Sequence, residues 1–222
     1  MADNGKLRDW QETQDTDYLK LSIERLSQPP LKWCQQFVDL INHDICEGDK
    51  SISINDIGCN VGHFHRVLDR ISVPVDYIGY DISKTYLDVA STTFRSGRFE
   101  LLDVTSAAPP RIADVTIVSA TLEHLANWED SFQNILEKTK DKLLLRTFAG
   151  ERSLNNLYYK PSAKLPYSIR QFTFEELSEK ALSAGYSMQV KRDMATDSIP
   201  QYLGCGITRT QFVCIFKKQT AL

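Results

Sequence analysis

Residues 51–71 are SISINDIGCNVGHFHRVLDRI, and they predict a strand, a tight loop and a helix in that order. The isoleucines of SISINDIG are typical of a buried strand that ends at a glycine, and GHFHRVLDRI has helical spacing. A loop that joins a buried strand to a helix is the usual ligand site of an open α/β sheet. Gly58 and Gly62 allow the backbone to turn tightly and a ligand to approach closely.

The alternation of strands and helices continues to about residue 150. Further strands are predicted in VPVDYIGYD, RFELLDV, IADVTIVSA and KLLLRTF, and helices in KTYLDVASTTF and WEDSFQNILEKT. This order predicts a parallel sheet that is covered on both faces. FTFEELSEKALSAG predicts a helix with its N-cap at Thr173 and its stop at Gly185. YSMQVKRD and TQFVCIFKK have no helical pattern between them, so they should pair antiparallel.

The expected fold is therefore a Rossmann-like, doubly wound, mostly parallel α/β sheet of about seven strands, with one antiparallel C-terminal strand. We assign this domain to residues 49–222. Residues 1–48 contain two helical segments separated by Pro29-Pro30, and we expect them to form a helical lid. The stretches 149–171 and 194–209 lack a helical period and are predicted to be long loops on the ligand side of the sheet.

The composition excludes several classes of protein. The 222 residues contain 26 Lys and Arg against 29 Asp and Glu, a net charge of −3, which argues against a nonspecific nucleic-acid binder. Five cysteines without a CxxC pair are typical of reduced thiols, and no cluster with metal-ligand spacing appears. The N-terminal stretch is polar and acidic, and no apolar run is long enough to span a membrane. We therefore expect a cytoplasmic protein without a metal.

Acidic residues at the ends of three predicted strands indicate the ligand. A dinucleotide-binding loop has the pattern GxGxxG, whereas this loop is GxNxG and follows Asp56, whose carboxylate would repel a pyrophosphate and suit a cationic amine. Asp81 ends the next strand, where an acid can accept hydrogen bonds from ribose hydroxyls. Asp103 follows the third strand, where it could accept from an adenine amino group. The three acids together fit an adenosyl amino acid.

Four segments, DIGCNVG, YIGYD, FELLDV and VSATLEHLANWED, resemble the successive motifs of class I S-adenosylmethionine-dependent methyltransferases. The resemblance covers roughly residues 50–150, and the helix and two strands of 173–217 fit the same family, whose last strand is inserted antiparallel. It implies methyl transfer from S-adenosylmethionine to an acceptor, with S-adenosylhomocysteine as product. The family motif usually has a glycine where this chain has Asn60, and asparagine tolerates the same left-handed backbone.

The resemblance also implies roles for individual residues. The implied cofactor-binding set is Asp56, Gly58, Cys59, Asn60 and Gly62 in the loop, Asp81 and Ile82 at the ribose and adenine, Asp103 and Val104 at the adenine, and Ser119 and Ala120 beside the methionine portion. For two of these acids a structural role is the alternative. Asp81 could cap the helix that begins near Lys84, and Asp103 could cap a turn at Thr105-Ser106.

Glu123 and His124 follow the fourth strand and are the candidate catalytic residues. His124 could act as a general base, since the ordinary pKa of histidine lies near neutral, or the pair could order the loop or contact the cofactor. Arg146 lies in a buried strand and needs a partner, which could be an anionic acceptor or a structural acid. Further candidate acceptor contacts are Tyr158, Tyr159, Tyr167, Arg170, Tyr202 and Arg209.

We expect a small-molecule acceptor, such as a sugar, a nucleotide-linked sugar or a secondary metabolite, and no membrane partner. The main competing enzyme class is an RNA methyltransferase, because DIGCNVGH is similar to a motif of RNA-phosphate methyltransferases, although the acidic net charge argues against it. A non-catalytic module that kept the fold is a further possibility, which the intact acids disfavour, and a nucleotide dehydrogenase is a third. The sequence does not predict the oligomeric state.

Overall fold

A computed structural model describes residues 16–46, 48, 50–158, 167–204 and 206–219. The helices are α1 (Thr16–Ser27), α2 (Lys32–Asn42), α3 (Lys84–Thr93), α4 (Trp128–Glu137) and α5 (Phe174–Ser183), with two 3-10 helices at His65–Arg70 and Leu122–His124. The strands are β1 (Ile52–Ile57), β2 (Val75–Asp81), β3 (Arg98–Leu101), β4 (Ala113–Ser119), β5 (Thr139–Gly150), β6 (Leu154–Tyr158), β7 (Tyr167–Thr173), β8 (Tyr186–Arg192), β9 (Gln201–Gly204), β10 (Ile207–Arg209) and β11 (Gln211–Lys218).

The main sheet has the strand order β3-β2-β1-β4-β5-β11-β8. Strands β1 to β5 pair in parallel, and β11 runs antiparallel to both β5 and β8. The predicted Rossmann-like sheet with one antiparallel C-terminal strand is therefore confirmed. The chain order reverses between β1 and β4, and open α/β sheets bind ligands in the crevice outside the carboxyl ends of the strands at such a point.

Apolar side chains fill both faces of the sheet. On one face, Phe132 of α4 and Leu177 of α5 pack with Leu145 and Phe216, all essentially unexposed. On the other face, α2 packs against β1, β4, β5 and β11 through Cys34, Phe37, Val38 and Ile41, which recur at helical spacing. This helix of the predicted 1–48 lid thus belongs to the core, and a lid role stays a prediction for α1. The described chain has no helix of the length and apolarity that a membrane span requires.

Some helices begin where the sequence predicts, and others do not. α5 begins at the predicted N-cap, Thr173, within a capping box. Thr173 Oγ1 accepts from the amide of Glu176, and the Glu176 carboxylate accepts from the amide of Thr173. The helix predicted after Gly62 is only a 3-10 helix of six residues. Left-handed backbone at Asn60 and Gly62 delays its start, and the extended residue Ile71 ends it before Pro74.

The two long loops predicted at 149–171 and 194–209 contain regular structure. β6 and β7 pair antiparallel, and β7 joins the end of β5 at Ala149–Gly150. β9 and β10 form a second, separate antiparallel pair. The β6 strand has no apolar period because the described residues 155–157 are all exposed, including Leu157. An exposed strand needs no hydrophobic alternation, so the sequence of β6 resembles a loop.

Candidate active site

The loop after β1 turns through three left-handed residues, Gly58 (φ +75°), Asn60 (φ +54°) and Gly62 (φ +84°). Glycine adopts this backbone freely, and asparagine tolerates it better than most residues. The amides of Gly58 and Cys59 donate to the carbonyl oxygen of Tyr80 at 2.8 and 2.9 Å. The loop is thereby fastened to the carboxyl end of β2, at the crevice of the sheet.

The end of β4 lies directly against this loop. Ser119 and Ala120 are half-buried at the rim, where the sequence placed them, and Ala120 (φ +54°) donates its amide to the carbonyl of Arg146 at 2.8 Å. A side-chain carbon at Gly58 would overlap Thr121 Oγ1 and lie 2.9 Å from Thr121 Cγ2. Glycine is therefore required at position 58 for this contact. The sequence analysis missed Thr121 because only the fold brings it to the loop.

Asp81 lies at the end of β2 and is 9% exposed. Its two carboxylate oxygens accept from the amides of Asn60 and Ser83, each at 2.9 Å. The carboxylate thus orders both the glycine loop and Ser83, and Ser83, not the predicted Asp81, is the N-cap of α3. Each oxygen keeps a second lone pair, so a ribose contact is compatible with these bonds. Burial raises the pKa of Asp81 to about 6, although the backbone amides of Ser83, Asn60 and Ile82 oppose the shift.

Asp56 is 2% exposed and lies beneath the loop. Its Oδ2 accepts from the hydroxyl of Tyr77 at 2.7 Å. Burial, together with the charge of Asp81, raises the pKa of Asp56 to about 7, and the Tyr77 hydrogen bond opposes this. The predicted role of Asp56 at the amino end of the ligand stays a prediction. Because the carboxyl is enclosed, it would act on a cation as a buried charge.

Asp103 lies two residues beyond β3 and caps a turn. One oxygen accepts from the amide and hydroxyl of Thr105 at 2.9 and 2.6 Å, and the other accepts from Ser106 Oγ at 2.8 Å. The pKa of Asp103 is lowered because these hydrogen bonds outweigh partial burial. The structure therefore shows the capping role for this acid. Val104 is buried in the core beside Ile57 and Tyr80, and Ile82 is half-buried after β2.

Glu123 and His124 lie in the 3-10 helix after β4, at the same edge of the sheet as the glycine loop. Glu123 is 1% exposed, and its Oε2 accepts from the hydroxyl of Thr147 on β5 at 2.9 Å. Its Oε1 has no hydrogen-bond partner in the described chain. His124 is half-buried at the rim. The carboxylate of Glu123 is thus enclosed, whereas the imidazole of His124 is more accessible.

Arg146 forms a buried ion pair instead of pointing at an acceptor. Its Nε and one terminal nitrogen donate to the two carboxylate oxygens of Asp193 at 2.8 and 3.1 Å, and the same terminal nitrogen donates to Gln211 Oε1 at 2.6 Å. Asp193 is unexposed and also accepts from Thr196. Of the two possible partners of Arg146, the structure shows the structural acid, and it corrects the predicted acceptor role because the fork of the guanidinium is occupied.

The remaining acceptor candidates lie on the two hairpins. Arg170 on β7 stacks over the rings of Trp128 and Phe172, at 5.7 and 5.8 Å from their centroids. Tyr202 on β9 is 69% exposed, and Arg209 on β10 lies 3.7 Å above the ring of Phe148. Tyr158 and Tyr167 are paired in the β6–β7 hairpin. Tyr159 lies outside the described residues.

The two buried carboxyls, Asp56 and Asp81, form no ion pair with a lysine or arginine of the described residues. Two acids at the carboxyl edge of a parallel sheet, beneath a glycine loop, are therefore short of positive charge. A cationic nucleoside supplies that charge, so the residues fit S-adenosylmethionine better than a dinucleotide. No group of three His, Cys, Asp or Glu side chains in the part described is arranged to hold a metal ion.

Comparison with known proteins agrees with this site. A family model described as a methyltransferase domain matches residues 31–181. Magnesium protoporphyrin IX methyltransferase (ChlM) from Synechocystis PCC 6803 with bound S-adenosylhomocysteine superposes with a TM-score of 0.64 at 13% identity, over 94% of this chain and 98% of that chain. An S-adenosylmethionine-dependent methyltransferase from Clostridium acetobutylicum ATCC 824 gives 0.64 at 11% identity, over 92% and 100%.

A chain of the complex between the Haloferax volcanii Trm112 methyltransferase activator and a putative methyltransferase gives a TM-score of 0.65 at 10% identity, over 96% of this chain and 99% of that one. At such identities these structures show a shared fold. No curated protein sequence matches the chain. The fold and site define an enzyme of the methyltransferase class. The chain belongs to the methyltransferase-domain family, and the class I S-adenosylmethionine-dependent assignment made from its motifs is confirmed.

Proposed function

We propose that this enzyme methylates a small-molecule acceptor held between the glycine loop and the two hairpins at the carboxyl edge of the sheet. The observation that carries the proposal is the pair of buried carboxyls, Asp56 and Asp81, which no cation of the described chain neutralises. Neutralisation by a bound sulfonium and amine favours the ionised acids. The methyl donor would therefore sit over this pair, beside Ser119 and Ala120.

Within this site Asp81 would hold the ribose through its remaining lone pairs, and Ile82 and Val104 would contact the adenine. Asp103 is a weaker adenine contact because three donors already occupy its oxygens. Gly58, Cys59, Asn60 and Gly62 would shape the loop around the methionine portion. These assignments transfer the family's cofactor-binding pattern to residues at the carboxyl edge of the sheet.

The protein's part in the reaction is positioning and shielding. S-adenosylmethionine supplies an already activated methyl group, so the enzyme needs to align the acceptor atom and exclude water. His124 is the candidate base for an acceptor that loses a proton, because it is the titratable rim group whose ordinary pKa is near neutral. Glu123 is enclosed and held by Thr147, so a structural role beneath the rim suits it better than contact with the acceptor.

α1 is the candidate lid. Its Tyr18 meets Tyr86 of α3 edge-to-face, with 6.5 Å between ring centroids. Arg66, which follows the glycine loop, donates to the carbonyls of Arg25 and Gln28 at the end of α1. These contacts place α1 beside the loop, where closing motion would cover a bound cofactor.

A small molecule is favoured over RNA as the acceptor. The net charge is −3, and the buried Arg146 near the rim is neutralised by Asp193. A fold neighbour, the Synechocystis enzyme, acts on magnesium protoporphyrin IX, and a small acceptor is thus accommodated by this architecture. RNA would require a basic surface that tracks phosphates.

The proposal is tested by calorimetric titration with S-adenosylmethionine, followed by a screen of small molecules and RNA with labelled methyl donor. Binding of the donor with label transferred to a small molecule supports the proposal. Label transferred to RNA alone would support an RNA methyltransferase. Absence of binding to a folded protein would favour a non-catalytic module, and binding of NAD in its place would favour a dehydrogenase.

A further inference from the structure

A buried acid cluster beneath the glycine loop is held in place by Tyr77 on β2. The Tyr77 ring packs edge-on against His65 at 5.3 Å and Phe99 at 6.0 Å between ring centroids. Gly79 makes room for it, since a side-chain carbon there would lie 2.9 Å from the Tyr77 hydroxyl and equally close to Cys59 Sγ. The hydroxyl therefore has one fixed direction, and it donates to Asp56.

The groups that face Asp56 come from three elements: Cys34 from α2, Cys59 from the loop, and Tyr77 and Asp81 from β2. Burial raises the pKa of both thiols, so they are neutral near pH 7. The pKa of Tyr77 is also raised by burial, so its hydroxyl keeps its proton. Asp81 is therefore the only other anion in this set.

The cations that act on Cys34 from further away are occupied elsewhere. Arg146 pairs with Asp193, and Arg66 donates to two carbonyls of α1. Asp56 and Asp81 are thus two buried carboxyls, and the charge of Asp81 acts on Asp56, whose hydrogen bond comes from the neutral Tyr77 hydroxyl. Like charges on buried carboxyls are relieved either by a bound proton or by a bound cation.

We propose that binding of S-adenosylmethionine expels a proton held by the Asp56–Asp81 pair, and that Tyr77 is the positioning residue that limits how much of this proton is held. The inference rests on the proposed cofactor site. A cation beside the pair favours its ionised form, and the displaced proton passes to the buffer. The raised pKa values of Asp56 and Asp81, about 7 and about 6, place this exchange near neutral pH.

The test is calorimetric titration of the whole chain in buffers of different ionisation enthalpy, in which the slope of the apparent enthalpy counts protons. With a pKa of about 7 for Asp56, release of about half a proton is expected at pH 7 and on the order of a tenth at pH 8. The dissociation constant should rise on the order of tenfold from pH 8 to pH 6. S-adenosylhomocysteine, which lacks the sulfonium charge, should release less.

The Asp56→Asn variant should release far fewer protons than the unmodified protein when it binds S-adenosylmethionine. Because the amine of the ligand titrates with both proteins, the measured quantity is the difference between their proton counts. Tyr77→Phe removes the donor, so it should increase the release at pH 7 and weaken binding at pH 6 more than at pH 8. Tyr80→Phe is the matched control, since its buried hydroxyl has no partner in the described chain, and its proton count should equal that of the unmodified protein.

Three results would overturn the inference, and one would support it. Equal proton counts in the unmodified protein and Asp56→Asn would overturn it while leaving the cofactor site intact. If Asp56→Asn does not fold, an unchanged count and pH profile in Tyr77→Phe would overturn it instead. Failure of the unmodified chain to bind S-adenosylmethionine would overturn the proposed function itself, and the inference with it. A larger count in Tyr77→Phe alone, with Tyr80→Phe unchanged, supports the inference.

Discussion

Replacement of Gly58 by alanine probes the contact between the glycine loop and the end of β4. A Cβ at this position would meet Thr121 Oγ1 and Cγ2, the latter at 2.9 Å. The backbone there has φ +75°, which an L side chain adopts only with strain. Two separate costs are therefore expected, one from the backbone and one from the overlap with Thr121.

The sizes of these costs can be worked out separately. Left-handed backbone costs an alanine about 1–2 kcal/mol. Overpacking at a rigid contact costs about 1–3 kcal/mol. Gly58→Ala should then lower the free energy of unfolding by about 2–5 kcal/mol. Gly206→Ala isolates the backbone cost, because Gly206 has φ +77° and no atom of the described chain within 4 Å of a Cβ.

The assay is urea unfolding of four proteins compared with the unmodified chain: Gly58→Ala, Gly206→Ala, Thr121→Ala and the double variant at 58 and 121. Thr121→Ala removes the overlapping atoms, so the double variant should recover about 1–2 kcal/mol through favourable coupling. Equal losses for Gly58→Ala and Gly206→Ala, with no coupling to Thr121, would refute the contact. Binding of S-adenosylmethionine should weaken in Gly58→Ala and partly recover in the double variant.

Three further outcomes are expected. Asp81→Ala should weaken S-adenosylmethionine binding by about 1–3 kcal/mol through lost charge-assisted hydrogen bonds, and unchanged affinity of a folded variant in calorimetry would reject the ribose assignment. His124→Ala should abolish methyl transfer while retaining cofactor binding, and normal turnover in the label assay would remove His124 as the base. Lys142, Lys217 and His43 lower the pKa of Asp44 despite its partial burial. Asp44 therefore stabilises the fold above about pH 4 and loses this effect as pH falls further. Asp44→Asn should reduce stability at pH 7 by about 1–3 kcal/mol, with the difference shrinking in unfolding curves below pH 4.

The parts of the fold that the sequence predicted correctly are those encoded locally. The apolar run Leu143–Leu145 is unexposed in the structure because β5 is covered on both faces, which is the condition that such runs indicate. The capping box at Thr173 and the stop at Gly185 (φ +81°) involve neighbours within a few residues. Local chemistry therefore set these boundaries.

The elements that the sequence analysis missed depend on contacts distant along the chain or on solvation. The described residues 155–157 of β6 are exposed, so no apolar period marks that strand. The structural partner of Arg146, Asp193, lies 47 residues away along the chain. The sequence pattern predicted that Arg146 needs a partner, but it did not identify the partner. Asp193 follows β8, and the strand order β5-β11-β8 brings it to Arg146 on β5.

For the three acids of the site, too, the sequence predicted the positions but not the contacts of the side chains. Their positions after β1, β2 and β3 were enough to predict that they lie at one edge of the sheet, because parallel strands end together. Their environments differ by the donors that reach them: three hydrogen bonds from an adjacent turn on Asp103, two amides on Asp81, and one hydroxyl on Asp56. The pKa is accordingly lowered for Asp103 and raised for the other two. The predicted edge of the sheet thus contains one acid, Asp103, whose hydrogen bonds stabilise its charge. The other two, Asp56 and Asp81, are acids whose charge a bound cation would stabilise.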